Sequence, residues 1–169
     1  MIKSLMRGLI DGALSTLGVV IGAISAPNAM IIISAAFSGA VANGFSNILA
    51  AFSAERTAGY QKIQELEEKM FTRLKGTRQE KFMHSRVMKR GILDGISTVA
   101  GGAIPIIPLL FLSGLEAMYM SIASVVLLMG IMGAYTGTLA RENLIFSGAK
   151  MAFFATLTAA VCIFIEIMI

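Results

Sequence analysis

The chain has 169 residues, 56% of them hydrophobic and 14% charged, with a formal net charge of +4 and a mean hydropathy of +0.79. A water-soluble domain of this size exposes too much of its surface to be built from so few polar residues. The composition therefore excludes a soluble fold and specifies an all-α membrane protein with several spans.

Five apolar blocks follow one another, at about 8–26, 29–53, 91–112, 118–139 and 149–168. Each is close to the roughly 20 residues that a helix needs to cross about 30 Å of hydrocarbon. The first follows Lys3 and Arg7, as a secretory signal would. However, a second block starts after only Ala26-Pro27-Asn28, and Asp11 stands where a signal would be uniformly apolar, so block one reads as a mature span. Pro27 closes it. Pro105 and Pro108 are expected to bend or break the third span, freeing carbonyls that need a polar neighbour.

Small residues pattern these spans: Gly8, Gly12, Gly18 and Gly22 on the first, Ala35, Gly39 and Asn43 on the second, Gly133 and Gly137 on the fourth. Such faces let helices approach closely in lipid, either within one subunit or across a dimer seam.

The connector at 54–90 holds ten of the fourteen Lys and Arg residues, and also five glutamates. Ile63, Leu66, Met70 and Leu74 recur at three- and four-residue steps, which predicts an amphipathic helix. Gly76-Thr77 should break it, and a second helix over about 78–90 should run into span three. The chain thus divides into a first transmembrane hairpin (1–53), a cytoplasmic helical insert (54–90) and a three-helix half (91–169). Lys3, Arg7, Arg141 and Lys150 fall on the same side as the insert, so the N-terminus is cytoplasmic and the C-terminus outside. Beside membrane helices, this basic surface is an orientation signal that meets anionic lipid, with no nucleic-acid partner expected. The expected location is a prokaryotic cell membrane.

The most specific signal is a repeat. Arg7-Gly8-Leu9-Ile10-Asp11-Gly12 returns as Arg90-Gly91-Ile92-Leu93-Asp94-Gly95, each time opening an apolar run. An even number of spans separates the copies, which makes this a parallel repeat with both motifs pointing outward. A carboxylate inside a span is costly and faces a cavity, an ion path or a cationic partner. Ser15 follows Asp11 by four residues and Thr98 follows Asp94 by four, so each acid shares a helix face with a hydroxyl. Such a pair offers oxygen ligands to a cation, and the carboxylate can exchange a proton. The alternative is an ion pair of Asp11 with Arg7 and of Asp94 with Arg90, four residues back. Asn43, Ser46 and Asn47 place three polar groups on span two; they line the same path or bond neighbouring helices.

Glu65 and Glu68 share one face of the insert and form a candidate cation-capture pair, with Glu55 and Glu80 nearby and Met70, Met83, His84 and Met88 as softer groups. The alternative is a solvated helix with pairs such as Glu65–Lys69. The twelve methionines look mainly like packing, and the single Cys162 permits no disulfide within the chain. No nucleophile–base arrangement, phosphate-cradling loop or zinc cluster is present, so no enzyme and no resident cofactor is expected.

Asp11-Gly12-Ala13-Leu14-Ser15-Thr16, Val41-Ala42-Asn43-Gly44-Phe45-Ser46-Asn47 and the stretch from Gly137-Thr138 through Ala160 resemble, in that order, the vacuolar iron transporter family. Five spans with a charged helical insert after the second also fit. The resemblance implies a homodimer that moves Fe²⁺ or Mn²⁺ out of the cytoplasm in exchange for protons, along the dimer interface near Asp11, with Glu65 and Glu68 gathering metal. Three departures stand out. Asn43 replaces a usual acid, Asn47 a usual methionine, and Ala51 stands about where a glutamate is usual; the insert is also shorter and poorer in glutamate. Loss of the thioether removes a soft ligand that would favour Fe²⁺.

The sequence thus points to a divalent-metal transporter whose metal-site residues are Asp11, Ser15, Asn43, Ser46, Asn47, Glu65 and Glu68. Asp11 is favoured over Asp94 as the ion site. A non-transporting scaffold or accessory subunit and a passive cation channel are the alternatives.

Overall fold

The computed structural model describes the backbone over residues 2–70 and 78–168, and the side chains of those residues except 55–56, 62–63, 66–67, 69–70 and 78–87. The expected break at Gly76-Thr77 lies outside the described residues. So do the side chains of Glu55, Lys69, Met70, Glu80, Met83 and His84.

Among the described residues the fold is entirely helical: α1 (Ile2–Gly22), α2 (Ala29–Met70), α3 (Arg78–Ala103), a 3-10 segment (Ile104–Leu110), α4 (Gly114–Ala140) and α5 (Leu144–Met168). Five stretches are long and apolar enough to cross a membrane, which bears out the expected fold class. The helices overrun the apolar blocks. α2 has 42 residues and so is about 63 Å long, roughly twice the hydrocarbon thickness. Its second half therefore leaves the bilayer as an unbroken continuation of the span.

Glycine sets how α1, α2 and α3 meet. A Cβ on Gly8 or Gly12 would collide with the α3 backbone at Asp94 and Thr98. A Cβ on Gly101 would collide with the α1 backbone at Leu9, and one on Gly95 would lie 2.6 Å from the Gly44 carbonyl of α2. The equivalent glycines of the two repeat copies thus face different partners: Gly12 meets α3, whereas Gly95 meets α2. In lipid, where apolar burial drives little, such backbone approach is the main packing force between spans.

α4 and α5 form a second pair, with Gly133 and Gly137 packed on Ser147 and neighbouring residues of α5. This pair joins the rest through α1 and the 3-10 segment. Leu17 and Ile21 of α1 interlock there with Val125 and Met129 of α4 and Ala155 and Ala159 of α5. The small-residue faces at Gly8, Gly12, Gly133 and Gly137 therefore serve packing within the chain. Gly18 and Gly22 differ: Gly18 has only Cys162 near it and Gly22 has nothing within 4 Å. α2 and α5 both flank α1 and share at most marginal contact with each other, which leaves a furrow floored by that face of α1.

Pro105 and Pro108 act as expected, whereas α1 ends at Gly22, five residues before the Pro27 that was expected to close it. α3 gives way at Ala103 to the 3-10 segment, with Pro105 at its start and Pro108 inside it. The buried Ser121 of α4 donates to the Pro105 carbonyl at 2.7 Å, while Phe111 and Leu112 N–H groups bond the Pro108 carbonyl. The break is bonded by protein groups, as lipid demands.

Candidate cation site at the middle of α1

Asp11 lies one turn beyond Arg7 on α1, half-buried against α2. Asn43 and Asn47 are one turn apart on α2 and thus point the same way. Both amides donate to the same oxygen, Asp11 Oδ2, at 2.9 Å from Asn43 and 2.6 Å from Asn47. Each amide also donates to a hydroxyl from one copy of the repeat: Asn43 to Ser15 Oγ and Asn47 to Thr98 Oγ1, each at 2.9 Å. A carboxylate accepts only, so the amide nitrogens must face it. Both N–H bonds of each amide are then used. Asp11 Oδ1 and the two amide oxygens have no hydrogen-bond partner among the described residues.

Asp94 is in a different situation. Its side chain is 2% exposed, and Arg7 grips it with two bonds, Nε to Oδ1 at 3.2 Å and Nη2 to Oδ2 at 2.5 Å. Arg7 thus reaches across to the acid of the second copy, and the alternative of an Arg7–Asp11 pair four residues apart is corrected. Glycine explains it: with Gly8 set on the α3 backbone beside Asp94, the neighbouring Arg7 is closer to α3's acid than a helix-surface pair requires. Thr98 and Ser97 both donate to the Asp94 backbone carbonyl.

The two acids open into one cleft of about 330 Å³, lined by Arg7, Asp11, Asn47, Ala50, Ala51, Ala54 and Asp94. Two carboxylates against one guanidinium leave these walls with one net negative charge, suited to a cation. Ala51, where the resembling family usually has a glutamate, is in this wall, so that departure falls at the site itself.

The remaining sequence candidates are placed unequally. Asp11, Ser15, Asn43 and Asn47 come together. Ser46 is exposed on another face of α2 and does not join them. Glu65 and Glu68 are exposed on the continuation of the Asn43 face, reached by steps of three and four through Asn47, Ala50, Ala54, Ala58 and Gln61. They lie about 16–21 Å along the helix from Ala54. Among the described residues no three His, Cys, Asp or Glu side chains converge on a metal-sized space. Thr98 is the member of the amide network that sequence reasoning left with Asp94; its place as the second-copy equivalent of Ser15 was the available signal.

Replacing Arg7 by Gln leaves the buried Asp94 carboxylate without its bidentate partner. The expected loss is about 2 kcal/mol, below the roughly 3–5 kcal/mol of a fully buried pair, because the Arg7 side chain is 64% exposed. Denaturant titration of the solubilised protein measures it, and adding Asp94→Asn to Arg7→Gln should recover part of the loss.

The fold and the site define a five-span helical membrane protein with an acid-containing polar cleft among its first three helices. The chain belongs to the VIT family, which matches residues 64–166. Membership implies membrane transport of metal ions in general. The chain is also similar to an uncharacterized protein of Methanocaldococcus jannaschii, 38% identical over 168 residues that cover 97% of this chain and 87% of the relative. The family match begins within the insert and does not include Asp11.

Proposed function

We propose that the protein exports a divalent metal ion, Fe²⁺ or Mn²⁺, from the cytoplasm in exchange for protons, working as a homodimer with Asp11 as the intramembrane ligand and proton carrier. The observation that carries this reading is the acid–amide cluster. A carboxylate within a span has one oxygen held by two amides, while its other oxygen and both amide oxygens are left unbonded by the described residues and are available as ligands. A cation at Asp11 Oδ1 competes with the amide N–H groups for the same carboxylate. Rotating either amide by about 180° exchanges its N–H donors for a carbonyl oxygen, turning a stabiliser of the empty site into a ligand. An all-oxygen set of this kind suits Mn²⁺ better than a site with a thioether does.

The net negative cleft beside Arg7 and Asp94 is the inner mouth. Glu65 and Glu68 on the same face of α2 collect metal above it. Once metal leaves Asp11, a proton takes its place and returns the site inward. The open face of α1, with Ser15, Gly18 and Gly22 in a furrow between α2 and α5, is the surface where a second copy would line the path.

Metal uptake into proteoliposomes tests this reading. Mn²⁺ flux should require an imposed pH gradient and fall to background when an ionophore dissipates it. Flux indifferent to the gradient would establish a channel. No flux of any divalent ion would leave the scaffold or accessory subunit.

A further inference from the structure

The open face of α1 does not end at Gly22. Asp11, Ser15, Gly18, Gly22 and Ser25 follow one another at steps of four, three, four and three, a single helical face carried into the turn after α1. At its far end lies a second cleft of about 320 Å³, lined by Gly18, Gly22, Ser25, Cys162, Ile165 and Glu166. Glu166 is the acid of the fifth span. The Ser25 hydroxyl donates to its Oε1 at 2.5 Å, and no Lys, Arg or His among the described residues forms an ion pair with it. Cys162 is one turn before Glu166 on α5, so thiol and carboxylate share a face. The thiol is directed at Gly18: its Sγ would be 3.6 Å from a Cβ there, the one neighbour within 4 Å. The C-terminal end of α1, where the negative pole of the helix dipole emerges, borders the cleft at Gly22 and Ser25.

We propose that the cleft formed by Ser25, Cys162 and Glu166 is a second cation site, which binds a divalent transition-metal ion through the Glu166 carboxylate and the Cys162 thiolate with the Ser25 hydroxyl beside them. A carboxylate near the end of a span that, among the described residues, is bonded by a hydroxyl alone calls for a cation. The carboxylate–thiolate pair selects borderline ions such as Fe²⁺, Co²⁺ and Zn²⁺ over Mg²⁺ and Ca²⁺. Binding releases the thiol proton to water. The glycine floor leaves room for the ion, since no side chain fills the space above Gly22. The site is 14 residues from Asp11 along the α1 face, about 21 Å, at the opposite end of the furrow. Its role as the outer, release-side station rests on the transport reading, whereas the binding itself does not. It also returns to the path the soft ligand that Asn47 does not provide.

Cys162 is the single cysteine of the chain, so its alkylation reports on this cleft alone. The full chain in proteoliposomes or detergent is treated with a maleimide, with and without Co²⁺, and with Mg²⁺ as the hard-ion control. With Co²⁺ at ten times its dissociation constant, labelling should slow about tenfold by mass action; Mg²⁺ should leave it unchanged. Glu166→Gln should abolish protection while its metal-free labelling rate, the measure of an intact cleft, stays that of the unmodified protein. If Glu166→Gln does not fold, Glu166→Asp replaces it, and its shorter side chain should weaken protection. Labelling unaffected by saturating Co²⁺, or equal protection in the Glu166 variants, overturns the proposal. Asp11→Asn should retain full protection. In the unmodified protein, absence of metal flux with protection intact therefore counts against the transport reading alone, and flux without protection counts against this site alone.

Discussion

Asp11→Asn is expected to reduce gradient-driven metal uptake by about a hundredfold or more, at or beyond the upper range that losing a ligand-supporting group costs. The substitution keeps the shape and removes both the charge and the exchangeable proton. Its amide oxygen can still accept from Asn43 or Asn47, which now each donate to Asp11 Oδ2. Stability should therefore change by no more than about 1 kcal/mol, the worth of one hydrogen bond. The two measurements together decide the role of this carboxylate. Lost flux with an intact thermal unfolding midpoint marks a transport site. Lost flux together with a large fall in the midpoint marks an interhelical bond and nothing more.

The second large effect is steric. Gly12→Ala should destabilise the protein by at least the roughly 1–3 kcal/mol of an overpacked core, because the added Cβ meets the Thr98 carbonyl and the Gly102 backbone of α3. Backbone cannot rotate aside as a side chain does, so α1 must move off α3. Asp11 is the next residue, and it would be carried away from Asn47 and Thr98 at the same time. Gly22→Ala is the matched control: nothing lies within 4 Å of its Cβ position, and a change within about 0.5 kcal/mol is expected. Thermal unfolding of the two purified variants compares them directly. Equal midpoints would mean that the α1–α3 crossing is looser than its glycines indicate.

Much of this was legible in the sequence. The five spans follow from apolar length alone, and the acid–hydroxyl pairing of Asp11 with Ser15 follows from a four-residue step. Asn43 and Asn47 were visible as a buried amide pair, since polar residues one turn apart in a span must bond something. What they bond was not visible. Their shared target, Asp11 Oδ2, depends on how α1 and α2 are rotated about their axes, and that rotation is set by glycines whose partners lie roughly 50 to 90 residues away in α3. The same cause hid the Arg7–Asp94 pair: a motif read along one helix suggests partners four residues apart, but close backbone approach brings the second copy's acid within reach. Glu166 and Ser25 were harder still. Each is a single polar residue at the end of an apolar run, and only the packing of α5 on α1 makes them neighbours. The signal that could have joined them was the periodicity of α1, which carries the Asp11 face through Gly18 and Gly22 to Ser25.

The unbroken course of α2 has a mechanical consequence. A single helix spans Ala29–Met70, so Glu65 and Glu68 are rigidly connected to Asn43 and Asn47 with no proline or glycine hinge between Phe45 and Met70 other than Gly59. Such a helix is a lever whose fulcrum is the tight crossing at Gly44 and Gly95. A tilt of about 10° about that crossing displaces Glu68, roughly 36 Å away at 1.5 Å per residue, by about 6 Å, while Asn43 and Asn47 shift by less than about 1 Å. Large displacements among the carboxylates outside the bilayer are thereby geared down to movements the size of a hydrogen-bond adjustment at Asp11. If Glu65 and Glu68 take up a cation as proposed, its binding on this arm biases the amide pair without dismantling the crossing that holds it.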